Sequence, residues 1–321
     1  MTRPAILVRL PGEAGDAVTL SYTPRGDIIG LLAAVPVKRV PAVVRTLFAV
    51  CAHAQGHAAE LAVEAALGLE AAPQTLAERE IRTWTEVVRE HGLRICLDWA
   101  RLLGQAPDLP RARAFVALSA TDDPTALITD AVTGLSPEQW LAMTSTGELA
   151  RWAGAGRTVA ARFIATLFDA AMLTSPGAVD PGSLAARHAD HPLLARALPA
   201  GSLIACHVAR LIDLCRVPAR LDALRTADDT ALLRGLSLGP GLGMASVPCA
   251  RGTLVHEVGV VAGRVERYRI LSPTDRAFAP GGWAERQVQR LCAWPPADRA
   301  RGAEVMMLAL DPCVDYAVEV A

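Results

Sequence analysis

Strand-like patterning in this chain is confined to its two ends, which constrains the fold more than any single motif. Residues 5–36 read as strands: Ala5 to Leu10 is a short apolar run, and Ala17 to Tyr22 alternates with Val18, Leu20 and Tyr22 on one face. Thr23-Pro24-Arg25-Gly26-Asp27 supplies a turn before Ile28. Near the other end, Glu257 to Leu271 reads as a hairpin with Ala262-Gly263 at its turn. The long middle, 40–235, carries a helical period and few motifs.

Within that middle, Val40 to Glu70 reads as one long helix, with Val43, Val44, Leu47, Val50, Ala54, Leu61 and Leu67 on its apolar side. Thr75-Leu76-Ala77-Glu78 is a capping box starting a helix that runs to about Leu103. Its Glu80, Glu86, His91 and Arg94 are expected on a solvated face. Arg111 to Ala120 starts another helix, and Ser136-Pro137-Glu138-Gln139 is a second capping box. Further helices are expected at 158–173, 183–197, 202–215 and 218–236. Gly235 to Gly243 holds four glycines without Gly-Lys-Ser/Thr, so a phosphate loop is disfavoured and a flexible lead into the following segment is expected.

Composition sets limits on partners and setting. The formal charge of −1 and pI near 6.7 give no field for nucleic acid or an anionic membrane, and no apolar run is long enough to span a bilayer. Cys51, Cys96, Cys206, Cys215, Cys249, Cys292 and Cys313 are odd in number and form no Cys-x-x-Cys pair. With no secretory signal at the start, a reduced, cytoplasmic thiol set is expected. Cys206-His207 and Cys215 match no zinc spacing, so buried thiols on an amphipathic helix are expected. His53 and His57 share a helix face at i, i+4 but lack the intervening glutamate of a His-Glu-x-x-His protease. They read as polar-face residues or core hydrogen-bonders.

Three segments carry the chemistry. The chain ends in Asp311-Pro312-Cys313-Val314-Asp315-Tyr316-Ala317-Val318-Glu319, and about 60 residues upstream stands Pro248-Cys249-Ala250-Arg251-Gly252-Thr253-Leu254-Val255-His256, followed by the hairpin and Ser272-Pro273-Thr274. Phe48-Ala49-Val50-Cys51-Ala52-His53-Ala54-Gln55 precedes Val63-Glu64-Ala65-Ala66-Leu67-Gly68. These resemble the nickel-iron hydrogenase large subunits, which write Asp-Pro-Cys-x-x-Cys-x-x-His, Glu-Ala-Pro-Arg-Gly-x-x-x-His, Pro-Ser/Thr-Thr and Cys-Gly-x-Cys-x-x-x-His before Val-Glu-x-Ala-Leu-Gly. In that register Cys51 and Cys313 are kept. Phe48 and Tyr316 stand in place of the other two cysteines, and Gln55 and Glu319 in place of the histidines. Arg9-Leu10-Pro11-Gly12-Glu13 is similar to the opening Arg-Ile-Glu-Gly-His, with Pro11 where the family has its proton-transfer glutamate.

The resemblance implies an α+β, mostly helical fold: a reduced large-subunit-like domain over 1–321, with β-rich 1–36 and 249–285 packed on a helical body at 40–235. It implies that Cys51 and Cys313 are metal ligands, although 262 residues separate them (313 − 51). Arg251 and Thr274 match positions that donate to iron-bound cyanide, where a guanidinium fork and a hydroxyl suit a dry pocket. Their plain alternatives are a solvated arginine and, for Cys313, a small buried hydrophobe.

Four thiolates are needed for a nickel-iron site, so nickel coordination and hydrogen turnover should fail. Soft ferrous iron can still be held by thiolates. The pattern is that of the accessory proteins of the HupK/HoxV type. The implied role is a non-enzymatic scaffold or transient carrier for an Fe(CN)2(CO) fragment, with maturation proteins and the large-subunit precursor as partners. The sequence stops two residues after Glu319, without the tail of a hydrogenase precursor, which agrees with an accessory role. The alternative is a metal-free degenerate homologue acting as a binding module in maturation. The register sets one difficulty: Cys51 matches a cysteine that bridges both metals, whereas Cys313 matches one that binds nickel alone.

Overall fold

In a computed structural model of the chain, residues 5–10, 18–24, 28–33, 35–169, 171–175, 177–226 and 231–320 are described. Pro11 lies outside them. Strand β1 (Ile6–Leu10) sits between β2 (Thr19–Tyr22), antiparallel, and β7 (Tyr316–Val320), parallel, so the first and last strands pair directly. Ile6, Val8 and Leu10 point into the main core, and burying each stabilises the junction by roughly 1.5–3 kcal/mol. The β part built from both chain ends is present. Ile28–Leu32, expected as a strand, is a helix. An apolar run that short has no periodicity to separate the two forms.

The second sheet is antiparallel, in the order β3 (Arg234–Gly239), β4 (Leu242–Cys249), β5 (Gly252–Val261) and β6 (Arg264–Leu271). The expected hairpin is β5–β6, and Ala262 (φ 48°) and Gly263 (φ 74°) form its turn. The sheet begins at 234 rather than 249. Gly235 to Gly243 is therefore no flexible lead but the β3–β4 hairpin. Its glycines let the strands lie against the Ala52–Ala66 helix. A Cβ on Gly243 would stand 2.1 Å from the Ala62 carbonyl oxygen, and one on Gly235 2.8 Å from that of Leu61. The sheet continues into a short helix, Pro273–Phe278, inside the segment expected to be β-rich.

The long helix expected over 40–70 is two helices, Val40–Leu47 and Ala52–Ala66, separated by the tight turn Ala49–Cys51. Phe48 leaves the helical region (φ −120°, ψ 55°), which sets Cys51 at the mouth of the second helix. The next helix is Pro73–Leu93, continued by a π-turn at Arg94–Trp99 and Ala100–Leu102. It starts at Pro73, which occupies the first helical position, so Thr75 is not its cap. The Ser136 capping box forms as expected. The two helices expected at 202–215 and 218–236 are one, Leu203–Arg225, with Pro218 inside it, after which the chain turns into β3.

The solvated face expected for Glu80, Glu86, His91 and Arg94 is buried in its first three members. Glu80 accepts from Trp84 Nε1 (3.0 Å) and pairs with Arg220 (2.8 Å), and His91 Nε2 meets Asp213 at 2.9 Å. Arg94 pairs with Asp98 and Asp311. His57 is a core hydrogen-bonder, its Nδ1 2.9 Å from Thr83 Oγ1. Cys206, His207 and Cys215 lie on the Leu203–Arg225 helix, where His207 Nε2 donates to the Val305 carbonyl at 3.1 Å. Cys215 is buried and Cys206 half-buried.

Candidate metal centre

Five segments meet beside Cys51. Its thiol is 6 % exposed at the N-cap of the Ala52–Ala66 helix. The first free N–H groups of that helix are capped from another element. Glu86 of the Pro73–Leu93 helix accepts from His53 N–H (2.7 Å) and Ala54 N–H (3.0 Å). This fixes the helix mouth and the thiol with it.

Arg251 comes from the turn between β4 and β5. Cys249 pairs with Gly252 across that turn, and the Cys249 carbonyl accepts from Arg187 at 3.1 Å. Gly252 (φ 135°) admits no side chain, because a Cβ would lie 2.0 Å from the Gly182 carbonyl oxygen. The turn thus sends Arg251 inward, where it is 7 % exposed. Its Nη1 donates to Glu90 at 2.5 Å, its Nε to the Asp311 carbonyl at 2.5 Å, and its Nη2 lies 3.5 Å from the Asp311 carboxylate. It is not a solvated arginine.

Asp311 closes the Pro296–Leu310 helix in the left-handed region (φ 47°, ψ 60°), a conformation that costs a non-glycine residue about 1–2 kcal/mol. Three guanidinium groups hold its buried carboxylate: Arg94 at 2.6 Å, Arg210 at 3.2 Å and Arg251. Two residues on, Cys313 is half-buried. Thr274 Oγ1 accepts from the Cys313 N–H (3.3 Å) and lies 3.5 Å from its sulphur as donor. Thr274 is itself placed by the helix N-terminus that Ser272 and Asp275 cap reciprocally. Tyr22 Oη donates to Asp275 at 2.6 Å, tying the end-to-end sheet to this corner.

The charges are tightly linked. Burial pushes the Cys51 thiol well above its usual range. The Arg251 guanidinium pulls it back, while Glu90, Cys249 and Cys313 push it further up. Burial likewise raises Cys249 to about 11 and raises the Glu90 carboxyl, against the pull of Arg251. Burial opposes the charge on Arg251 too, but Asp311 and Glu90, joined by Cys51 and Cys313, outweigh it and hold the guanidinium charged. Glu86 is raised to about 7 by burial and by Glu90. A mostly apolar cavity of about 50 Å³, with Leu184, Ala277, Trp283 and Leu310 in its wall, also borders Arg251.

The structure thus gathers Cys51, Arg251, Thr274 and Cys313 in one water-poor corner, and Arg251 feels both cysteines. Sequence reading missed Glu90, Asp311 and Cys249 as neighbours. Cys249 and Asp311 stand inside the motif segments, whereas Glu90 carries no local signal. Among the described residues, no three His, Cys, Asp or Glu side chains stand together as a metal-binding group.

Comparison with known proteins settles the relationship. The chain is 30% identical to the hydrogenase expression/formation protein HoxV of Cupriavidus necator, over 98% of this chain and 94% of that protein. It belongs to the hydrogenase expression/formation protein family. Further members are HupK of Rhodobacter capsulatus, 31% identical over 95% of this chain and 94% of the relative, and HupV of Azotobacter chroococcum, 30% identical over 91% and 90%. No family model matches. The fold of this family member is that of nickel-iron hydrogenase large subunits. An NAD+-reducing [NiFe]-hydrogenase in the H2-reduced state superposes with a TM-score of 0.59 at 14% identity, covering 93% of this chain and 92% of the other. The Ni-Fe-Se hydrogenase of D. vulgaris Hildenborough gives 0.56 at 13%, covering 93% and 94%. Among the described residues, no helix is long and apolar enough to cross a membrane.

Proposed function

We propose that this hydrogenase maturation protein is a cytoplasmic scaffold that transiently carries an Fe(CN)2(CO) fragment towards the hydrogenase large subunit. In this reading Cys51 and Cys313 supply thiolates, and Arg251 and Thr274 donate to the cyanides. The observation that carries it is the buried Arg251 guanidinium, whose charge is coupled to both cysteines although they come from opposite ends of the chain. A guanidinium has five N–H donors, and Glu90 and Asp311 engage one on each of its three nitrogens, so two remain for a ligand. Soft thiolates beside hydrogen-bond donors in a dry corner suit low-spin iron with anionic diatomic ligands.

The two positions that would complete a nickel site are otherwise employed. Phe48 is 6 % exposed in the apolar cluster under the second sheet, and Tyr316 Oη donates to Glu304 at 3.3 Å. The protein is accordingly an assembly factor without hydrogen turnover, acting with other maturation proteins and the large-subunit precursor. Infrared spectra of protein isolated from a hydrogenase-producing host should contain cyanide and carbonyl bands, and Cys51→Ala should abolish them.

A second reading is favoured by the lack of a preformed three-ligand group among the described residues. It makes the protein a metal-free binding module in maturation. Bandless wild-type protein, together with undiminished maturation in a Cys51→Ala/Cys313→Ala strain, would establish that reading in place of the first.

A further inference from the structure

Cys249 stands where the large-subunit motif Glu-Ala-Pro-Arg-Gly has alanine. The framework carries it into the same buried cluster as Cys51, near enough to act on the Cys51 thiol electrostatically. The Ala52–Ala66 helix lies across the second sheet, with Leu61 over Gly235 and Ala62 over Gly243. Towards its N-terminus, Gln55 Oε1 meets His256 Nε2 on β5 at 2.9 Å. One further turn brings the helix mouth, with Cys51, to the end of the sheet where β4 closes on Cys249 and turns through Arg251. Both thiols belong to the same buried apolar cluster, at 6 % and 5 % exposure. Both are also fixed: Glu86 caps the helix mouth, and Arg187 pins the Cys249 carbonyl. Cys313 differs. It is half-buried, in the bend between the Pro296–Leu310 helix and β7.

We propose that Cys51 and Cys249 are the resident pair of iron ligands and that Cys313 is the exchangeable one, at which the fragment is received and released. The idea rests on the carrier reading above and removes its difficulty, since the iron no longer depends on the position that matches a nickel-only cysteine. Ferrous iron with three diatomic ligands has three octahedral positions left; two rigid thiolates fill two, and the third is open to exchange. Each thiol loses its proton to solvent as its sulphur–iron bond forms. At hand-over, ligands of the recipient replace the three thiolates in turn, Cys313 first and then Cys249 and Cys51; each departing thiolate takes up a proton from solvent, and the iron stays ferrous throughout.

Two experiments test this. Metal-free protein, kept anaerobic, is treated with phenylarsine oxide, which bridges two neighbouring thiols, then digested and mapped by mass spectrometry. A Cys51–Cys249 bridge is expected; a bridge between Cys51 and Cys313, or none to Cys51, overturns the proposal. Infrared spectra of isolated variants form the second test. Cys249→Ala, which installs the large-subunit residue, should lose the cyanide and carbonyl bands as Cys51→Ala does. Cys313→Ala should keep them but fail to pass them to large-subunit precursor. If Cys249→Ala keeps its bands while Cys51→Ala loses them, this inference fails and the carrier reading stands. If Cys51→Ala also keeps them, the carrier reading itself fails.

Discussion

Arg251→Leu probes the corner without any metal. Arg251 supplies the hydrogen bond to Glu90, whose other carboxylate oxygen is buried with no partner among the described residues, and it is one of three cations around Asp311. Removing one member of a buried ion pair costs about 3–5 kcal/mol, because the remaining charge is left uncompensated. At about 2 °C per kcal/mol for a chain of this size, the melting temperature should fall by roughly 6–10 °C. Asp311 keeps Arg94 and Arg210, so most of the loss falls on Glu90.

That assignment fixes the sign of the pH dependence. Burial already raises the Glu90 carboxyl against the pull of Arg251, so without the guanidinium it rises further. A carboxyl raised by folding binds its proton more tightly folded than unfolded, so stability falls as pH climbs from the unfolded value through the folded one. Melts followed by circular dichroism should show a larger deficit at pH 8 than at pH 5, where Glu90 can be neutral. Adding Glu90→Gln should recover part of the alkaline deficit, a coupling of about 1–3 kcal/mol. A deficit below about 1 kcal/mol, or one equal at both pH values, would refute the reasoning.

Gly243→Ala should destabilise by about 3 kcal/mol or more, because its Cβ would meet backbone atoms, the Ala62 oxygen at 2.1 Å and the Ala66 nitrogen at 2.5 Å. A normal melting temperature would contradict the helix-on-sheet contact. Glu86, raised to about 7 by burial, loses stability for the fold as pH rises from about 4.5 through 7. Glu86→Gln removes the charge but keeps only one of the two acceptors at the helix mouth, so measured against wild type it should fare better at pH 8 than at pH 5, by on the order of 2 kcal/mol. Equal effects at the two pH values in denaturant titrations would place the charge elsewhere.

What could be read from the chain depended on where each residue's partner lay. The β5–β6 hairpin was legible because its turn and its alternation are local, as is the Ser136 box. The β3–β4 hairpin was not, because its glycines answer to the Ala52–Ala66 helix, more than 160 residues earlier, rather than to their neighbours (235 − 66 = 169). The break at Phe48 was hidden because the apolar period continues through it. Glu80, Glu86 and His91 read as a wet face because carboxylates and imidazoles usually are one. Their partners, among them Arg220, 140 residues from Glu80, and Asp213, 122 from His91, leave no mark in a local window. The candidate cysteines, Arg251 and Thr274 were found through motif order, and folding then supplied the charge environment that no motif encodes.

The distribution of losses is itself informative. Random decay of a metal site would remove its buried charges early, since an unneeded ion network costs desolvation that apolar packing avoids. Here such a network is present: Arg94, Arg210 and Arg251 converge on an Asp311 held in a strained backbone conformation, and Glu90 completes it. Only two thiol positions have been given over to packing, Phe48 in an apolar cluster and Tyr316 at the head of β7. Meanwhile a buried thiol stands at Cys249, where the large-subunit motif has none. Under the carrier reading proposed above, a corner that differs from the large-subunit motifs in its thiols but shares their arginine would suit a different stage of the same cargo's handling.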